Sequence, residues 1–256
     1  MVSQSLQEIC CCLGQPVSGN PTQYMMEKAF ARAGLDWRYL TLEVGPASLR
    51  DAIRGIRAMG FRGANLTIPH KVAVIDLLDD LSEPARLIGA VNCVNRQGDQ
   101  LIGENTDGKG FLSSLRKVTD PAAKRVVVIG AGGAARAIAV ELGLADVTAI
   151  TIVNRSAERG SALAQHVEIQ TQVPARFEPF ATPLRIPEET DILINATSIG
   201  MGDPRARLPI AAETLRASSR RGRGGFPGDG PRARGDDGEP GGGGIGRRGA
   251  KERGGA

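Results

Sequence analysis

Val126-Val-Val-Ile-Gly130-Ala-Gly132-Gly133-Ala-Ala135-Arg136 is the stretch on which the reading of the fold turns. Four β-branched residues in a row, Val126–Ile129, suit a strand buried on both faces. The glycines that follow have the form G-x-G-x-x-A. Gly130 permits a tight turn, Gly132 lets a pyrophosphate approach the backbone, and Ala135 lets the next helix pack on the strand. That helix runs to Leu144, and a second strand, Ala149–Val153, comes soon after it. The helix start offers free N–H groups and a positive dipole end to phosphates. A dinucleotide is therefore expected, cradled by Gly130, Ala131, Gly132, Gly133 and Ala134. NAD-binding units usually end the second strand on Asp or Glu, which holds the ribose hydroxyls. Here that place holds Asn154-Arg155-Ser156. No carboxylate repels an adenosine 2′-phosphate, and Arg155 can pair with it and stack on the adenine. NADP is the expected cofactor.

Strand-like and helix-like segments alternate on both sides of this unit. Upstream, strands are expected at Ile9–Leu13, Trp37–Leu42 and Gly63–Ile68, with helices at Gln23–Ala33, Ala47–Met59 and Lys71–Leu78. Val91–Asn95 and Gln100–Gly103 read as a hairpin around Gly98, and Asp107–Val118 as a crossing helix. Downstream come a helix at Ser156–His166 capped by Ser156, a weak strand at Ala175–Phe177 and a strong one at Ile192–Asn195. Such alternation predicts an α/β fold with largely parallel sheets.

The chain has 256 residues, enough for two ordinary cores, but its charge is unevenly spread. Residues 217–256 hold 15 of the 34 glycines and nine of the 32 Lys and Arg against five of the 28 acids, leaving 23 bases and 23 acids before them. A neutral body gives no reason to expect nucleic-acid binding. The tail has two large apolar residues, Phe226 and Ile245, too few to offset its chain entropy, so disorder is expected there. No charged start and apolar run resembles a secretory signal, and no stretch approaches the roughly 20 apolar residues that span a bilayer. A soluble, cytoplasmic protein without membrane contact is expected. Cys10-Cys11-Cys12 alternate faces on a strand and cannot cage a metal, so they read as buried apolar residues. No metal site is expected.

Two polar clusters precede the glycine loop. Asn65-Leu-Thr67-Ile-Pro-His-Lys71 ends a strand at a proline turn, and Asn105-Thr106-Asp107 stands just before a helix. Taken alone, Thr106 or Asp107 reads as an N-cap and Lys71 as a surface lysine. Together with Gly14-Gln-Pro16, Gly89-Ala-Val-Asn92, Gly103-Glu-Asn-Thr-Asp107, Asn154-Arg-Ser156 and Asn195-Ala-Thr-Ser-Ile-Gly-Met201, in this order, they resemble the shikimate dehydrogenase family. The resemblance runs from Gly14 to about Leu215.

That resemblance implies an α/β substrate-binding and catalytic domain over residues 1–106 and a Rossmann-like NADP domain over 107–216, with the reaction in the cleft between them. It implies an NADP-dependent interconversion of 3-dehydroshikimate and shikimate, with Lys71 and Asp107 as the catalytic pair. Asn92 and Asp107 would hold ring hydroxyls, Thr67 would help bind substrate, and Thr197 and Met201 would lie by the nicotinamide. His70 is read as structural, and no role is seen for His166. A quinate/shikimate dehydrogenase of broader specificity and a non-catalytic NADP- or ligand-binding homologue are the alternatives. The expected partners are small molecules, and the oligomeric state is left open, a homodimer among the options.

Two departures stand out. Where the family carries Ser-x-Ser-Pro to grip a substrate carboxylate, this chain has Asn20-Pro21-Thr22-Gln23, so Asn20 and Thr22 are expected to take that place. After Arg216 the family's further strands, its glutamine-bearing segment and its closing helix are not legible. The expectation is an NADP domain that stops after about four strands, followed by a tail from a shifted reading frame. The strand at Ile192–Asn195 is then expected to be an edge with a bare apolar face, and turnover to be weak or absent.

Overall fold

The structure is a computed structural model that describes residues 7–200, 203 and 205–218. Met201 lies outside the described residues, and so does the tail expected to be disordered over 217–256 except for Ala217 and Ser218, which end a helix instead. The first part of the chain runs β1 (Glu8–Gly14), α1 (Thr22–Arg32), β2 (Trp37–Glu43), α2 (Leu49–Ala58), β3 (Gly63–Leu66), α3 (His70–Ala73), β4 (Asp80–Leu81), α4 (Glu83–Ile88), β5 (Cys93–Gln97) and β6 (Gln100–Glu104). Its six strands form one sheet in the order β2-β1-β3-β5-β6-β4. The second part runs α5 (Asp107–Leu115), β7 (Arg125–Ile129), α6 (Gly133–Gly143), β8 (Ala149–Asn154), α7 (Ala157–Thr171), β9 (Ala175–Pro179), β10 (Ile192–Asn195) and α8 (Ala212–Ser218). Four parallel strands make its sheet, ordered β10-β7-β8-β9.

The triple cysteine shows how β1 is covered on both faces. Successive side chains of a strand point to opposite sides. Cys11 packs with Leu49, Ile53 and Ile56 around α2, while Cys12 packs with Phe30 of α1 and Tyr39. Both are buried, as the sequence predicts, whereas Cys10, expected to be buried with them, is only half-buried. Each large side chain so buried stabilises by about 1.5–3 kcal/mol.

The first sheet is mixed rather than largely parallel. β1 pairs in parallel with β2 and β3, but β5 is antiparallel to both β3 and β6. Gly98, at φ +60°, turns β5 back on β6, and a hairpin can only be antiparallel. The helix expected over Lys71–Leu78 is α3 followed by a separate 3-10 turn at Ile75–Leu77. Val72, Val74 and Ile75 crowd the preceding turn and disfavour a long helix. α4 was not anticipated although its signals are present. Ser82 caps it by accepting from the Ala85 N–H, Pro84 sits in its first turn, and Gly89 ends it in the left-handed conformation.

In the second sheet, Val126, Val128, Ile150 and Ile152 face α6 and α7, while Val127, Ile129 and Val153 pack against Leu184 and Ile186. Among the described residues β10 ends the sheet, paired with β7 alone, as expected. Its apolar face is not bare, however. Leu193 lies with Phe180, Leu208 and Ile210 over the sheet, because the chain from Phe180 onward folds back across it. α5 packs on α6, and Ile88 and Ala90 of the first part share the core of the second. Among the described residues, no helix is long and apolar enough to cross a membrane.

Candidate active site

The turn after β3 is tied down before the lysine is reached. Thr67 donates its N–H to Leu13 O at 2.9 Å, and Ile68 O accepts from Gln15 N at 2.8 Å. His70 is buried and its Nε2 donates to Val44 O at 2.7 Å, which makes it structural, as read from the sequence. Lys71 O accepts from Val91 N at 2.6 Å, fixing the lysine backbone against the segment that leads from α4 into β5. Its ammonium then lies 2.5 Å from Asp107 Oδ2. The two side chains keep 17% and 31% exposure, so the pair is reachable from solvent rather than sealed in the core.

Asp107 is free for this contact because Asn105 does the capping. Thr106 makes no capping bond. Instead Asn105, 3% exposed, accepts from the N–H groups of Asp107 at 3.1 Å and Gly108 at 3.4 Å, and donates to Ala90 O at 2.9 Å. The N-cap reading of Thr106 or Asp107 is thus corrected, since the side chain one residue earlier satisfies the helix start. Asn92 Nδ2 donates to the other Asp107 oxygen at 2.8 Å and to Thr106 Oγ1 at 3.0 Å.

Asn20 and Thr22 meet one another rather than pointing apart. Asn20 Oδ1 accepts from both Thr22 Oγ1, at 2.6 Å, and Thr22 N, at 2.9 Å. The Asn20 amide donates toward Cys12 Sγ at 3.7 Å. Tyr39, which sequence reading passed over, donates to Asn65 Oδ1 at 2.6 Å, and Asn65 Nδ2 reaches Asn92 O at 3.3 Å. Burial raises the Cys12 thiol pKa, while the Lys71 charge and the Tyr39 hydroxyl oppose it. Burial also drives Tyr39 upward, so its phenol stays protonated and acts as a donor. A polar residue inside the otherwise apolar strand Gly63–Leu66 was the signal for Asn65. Thr67 makes no side-chain hydrogen bond to a described residue, and its methyl lies against Gly14.

The glycine loop is shaped for a phosphate. Gly130 has φ +120°, and a Cβ there would lie 2.8 Å from Ala196 O. Around Gly132 nothing stands within 4 Å of such a Cβ, and no acid occupies the first turn of α6. At the end of β8, Asn154 Nδ2 donates to Ser156 O at 3.0 Å, and Ser156 Oγ accepts from Arg159 N at 3.3 Å, capping α7 as expected. Arg155 is exposed, with no ion pair to a described residue. Arg159 is a second exposed cation on the first turn of α7; its spacing of four from Arg155 was a signal the sequence reading missed. Thr197 donates to Asn195 Oδ1 at 2.7 Å, and its methyl lies beside Gly130. These residues fit a dinucleotide carrying an extra phosphate.

The two halves meet closely. The Lys71 stem lies against Gly133, and Gly89 lies against Arg136 and His166. His166, to which the sequence assigned no role, donates Nε2–H to Leu87 O at 2.8 Å.

The fold and site define a two-lobed α/β protein in which a dinucleotide-type lobe faces a lysine–aspartate pair. The model of the shikimate dehydrogenase substrate binding domain matches residues 12–94, and that of shikimate / quinate 5-dehydrogenase matches residues 114–201. Shikimate dehydrogenase (NADP(+)) of Geobacter metallireducens is 43% identical over 199 residues, which are 75% of this chain and 68% of that one. The chain belongs to the shikimate dehydrogenase family. Among solved structures it is similar to the 5-ketofructose reductase of a Gluconobacter species, at 50% identity and a TM-score of 0.73, covering 83% of this chain and 76% of that one. It is also similar to the shikimate 5-dehydrogenase of Thermus thermophilus in complex with NADP(H) and shikimate, at 34% identity and a TM-score of 0.69, covering 81% and 75%.

Proposed function

We propose that the chain is an NADP-dependent oxidoreductase that interconverts 3-dehydroshikimate and shikimate. The observation that carries this reading is the Lys71–Asp107 pair at 2.5 Å, with Asn92 on the second carboxylate oxygen, set against the glycine loop. When bound, the nicotinamide supplies the hydride. The protein's own residues do the rest. The Lys71 ammonium polarises the ketone oxygen and donates a proton to it as the alcohol forms, and in reverse the neutral amine takes that proton back. Asp107 holds the ammonium in place and offers a lone pair to a neighbouring ring hydroxyl. Asn92 orients Asp107, and Thr67 keeps its hydroxyl available for substrate. Arg155 and Arg159 would meet the 2′-phosphate, with the N–H groups at Gly132 and Gly133 on the pyrophosphate.

The test is NADPH oxidation by purified protein given 3-dehydroshikimate. Lys71→Ala is expected to lower kcat by about a thousandfold or more while NADPH still binds. A variant that keeps its rate would remove Lys71 from the chemistry and sink the reading, whereas wild-type protein that binds NADPH without oxidising it would favour a non-catalytic NADP-binding homologue.

A second reading has a specific observation behind it. A carboxylate requires a cation or several free donors. At Asn20 and Thr22 the hydroxyl hydrogen is spent inside the pair, and among the described residues no cation is bonded to either. A neutral hydroxyl, which gives and takes one bond, suits an amide better. The Gluconobacter relative is a 5-ketofructose reductase, and a keto-sugar has no carboxylate. Reduction of such a neutral ketone is the alternative substrate class. Comparing kcat/KM for 5-ketofructose, 3-dehydroshikimate and dehydroquinate separates the readings, and Asn20→Ser with Thr22→Ser should favour the acids.

A further inference from the structure

We infer that Gly133 is a positioning residue for Lys71, and that one face of α6 seats both members of the lysine–aspartate pair. This rests on the reading of Lys71 and Asp107 as catalytic residues. The G-x-G-x-x-A pattern assigns reasons to Gly130, Gly132 and Ala135, but leaves residue 133 free. The backbone does not require glycine there either, since its φ is not positive. The reason lies across the cleft. A Cβ on Gly133 would come within 2.9 Å of Lys71 Cβ and 3.1 Å of Lys71 Cδ. The first of these is the root of the side chain, which cannot swing away, and the lysine backbone is held by Val91 N at 2.6 Å.

One helical turn further, on the same face of α6, Ala137 receives α5. A Cβ on Gly108 would lie 2.8 Å from Ala137 O and 2.5 Å from Glu141 Cγ. Gly108 directly follows Asp107. The lysine stem therefore rests on residue 133, and the glycine that follows the aspartate rests on residue 137, four residues further along one rigid helix. The helix that receives the cofactor thus also sets the separation of the proton-transfer pair. A methyl at 133 pushes Lys71 away by several tenths of an ångström, and small misplacements of a catalytic group are costly in rate.

The test uses the full chain. Gly133→Ala is expected to lower kcat about tenfold or more and to shift the pH profile of kcat, because the ammonium–carboxylate separation changes. NADPH affinity, read by fluorescence titration, should fall far less than kcat, because the residue 133 N–H that faces the pyrophosphate is kept. Gly132→Ala, with open space around it, should instead weaken NADPH. Unchanged kcat and profile in Gly133→Ala, or a loss confined to NADPH affinity, overturns the inference. Thermal stability gives a readout that needs no activity. A glycine-to-alanine change in a helix raises Tm where space allows. Here Gly133→Ala should lower Tm beside Lys71 and raise it in a Lys71→Gly background, where the clashing atoms are gone. An equal effect in both backgrounds shows that Lys71 is not the neighbour that matters. A Lys71→Ala protein with full rate would defeat the proposed function, yet leave this cycle readable.

Discussion

Around Gly132 nothing stands within 4 Å of a would-be side chain, whereas at Asn92 both ends of the amide are bonded, to Asp107 and to Thr106. The nucleotide half of the site offers bare backbone and unpaired cations to a ligand that brings its own charge. The substrate half binds its polar groups to one another and leaves only a few donors over. A phosphate is recognised by N–H groups and a dipole that any residue sequence of the right turn can supply. A ketone and its hydroxyls need individual side chains at set distances, and those must be held by further hydrogen bonds.

If the halves divide the work in this way, variants should fail on one side only. The largest effect is expected at the pair itself. Asp107→Asn keeps the shape but removes the charge that holds the ammonium, so kcat should fall about 10²- to 10⁴-fold with NADPH affinity nearly unchanged. Loss of NADPH binding in that variant would break the division. Arg155→Ala should do the reverse. NADPH affinity should drop about tenfold while NADH binding and kcat stay close to wild type, since one exposed charged contact is worth roughly 1.4 kcal/mol or less here. Equal loss for both nucleotides would remove Arg155 from the 2′-phosphate.

The smallest effect sharpens the seam between the halves. Burial first, then the Arg136 charge, holds the pKa of His166 below the ordinary histidine value, against the hydrogen bonds its ring makes to the Leu87 and Ile88 backbone. The unfolded chain therefore takes up this proton before the folded one does. The stabilisation is complete above about pH 6.5 and is lost as pH falls through the lowered value. His166→Gln should flatten the fall of Tm between pH 7 and 5 by about 1–2 °C. An unaltered slope would mean that the seam does not feel this proton.

How much could be read in advance differs between the halves for the same reason. β7, the glycine turn and α6 follow from a run of neighbours, and so does the Ser156 cap of α7. The first sheet was legible as alternating elements and a β5–β6 hairpin, but the antiparallel pairing of β5 with β3 was not. α4 was missed although Ser82, Pro84 and Gly89 mark its ends, because it is short and its apolar residues show no long period. Asn105 as the cap of α5 was missed because three polar residues in a row could each have served, and only Asn92 and Lys71 across the sheet choose among them.

By itself the sequence determined a strand, a glycine turn and a helix for a dinucleotide, an arginine suited to NADP, and two polar clusters whose motifs resemble one family. These depend on residues within a few positions of each other, where dihedral preference and hydrophobic period act directly. The tertiary structure alone decided how Lys71 and Asp107, 36 residues apart and paired in advance only by the resemblance, reach 2.5 Å, that Asn20 turns inward onto Thr22, and that glycine at 133 answers to a lysine on the other lobe. Such contacts are settled by close packing and strand register across the whole core, and no local pattern encodes them.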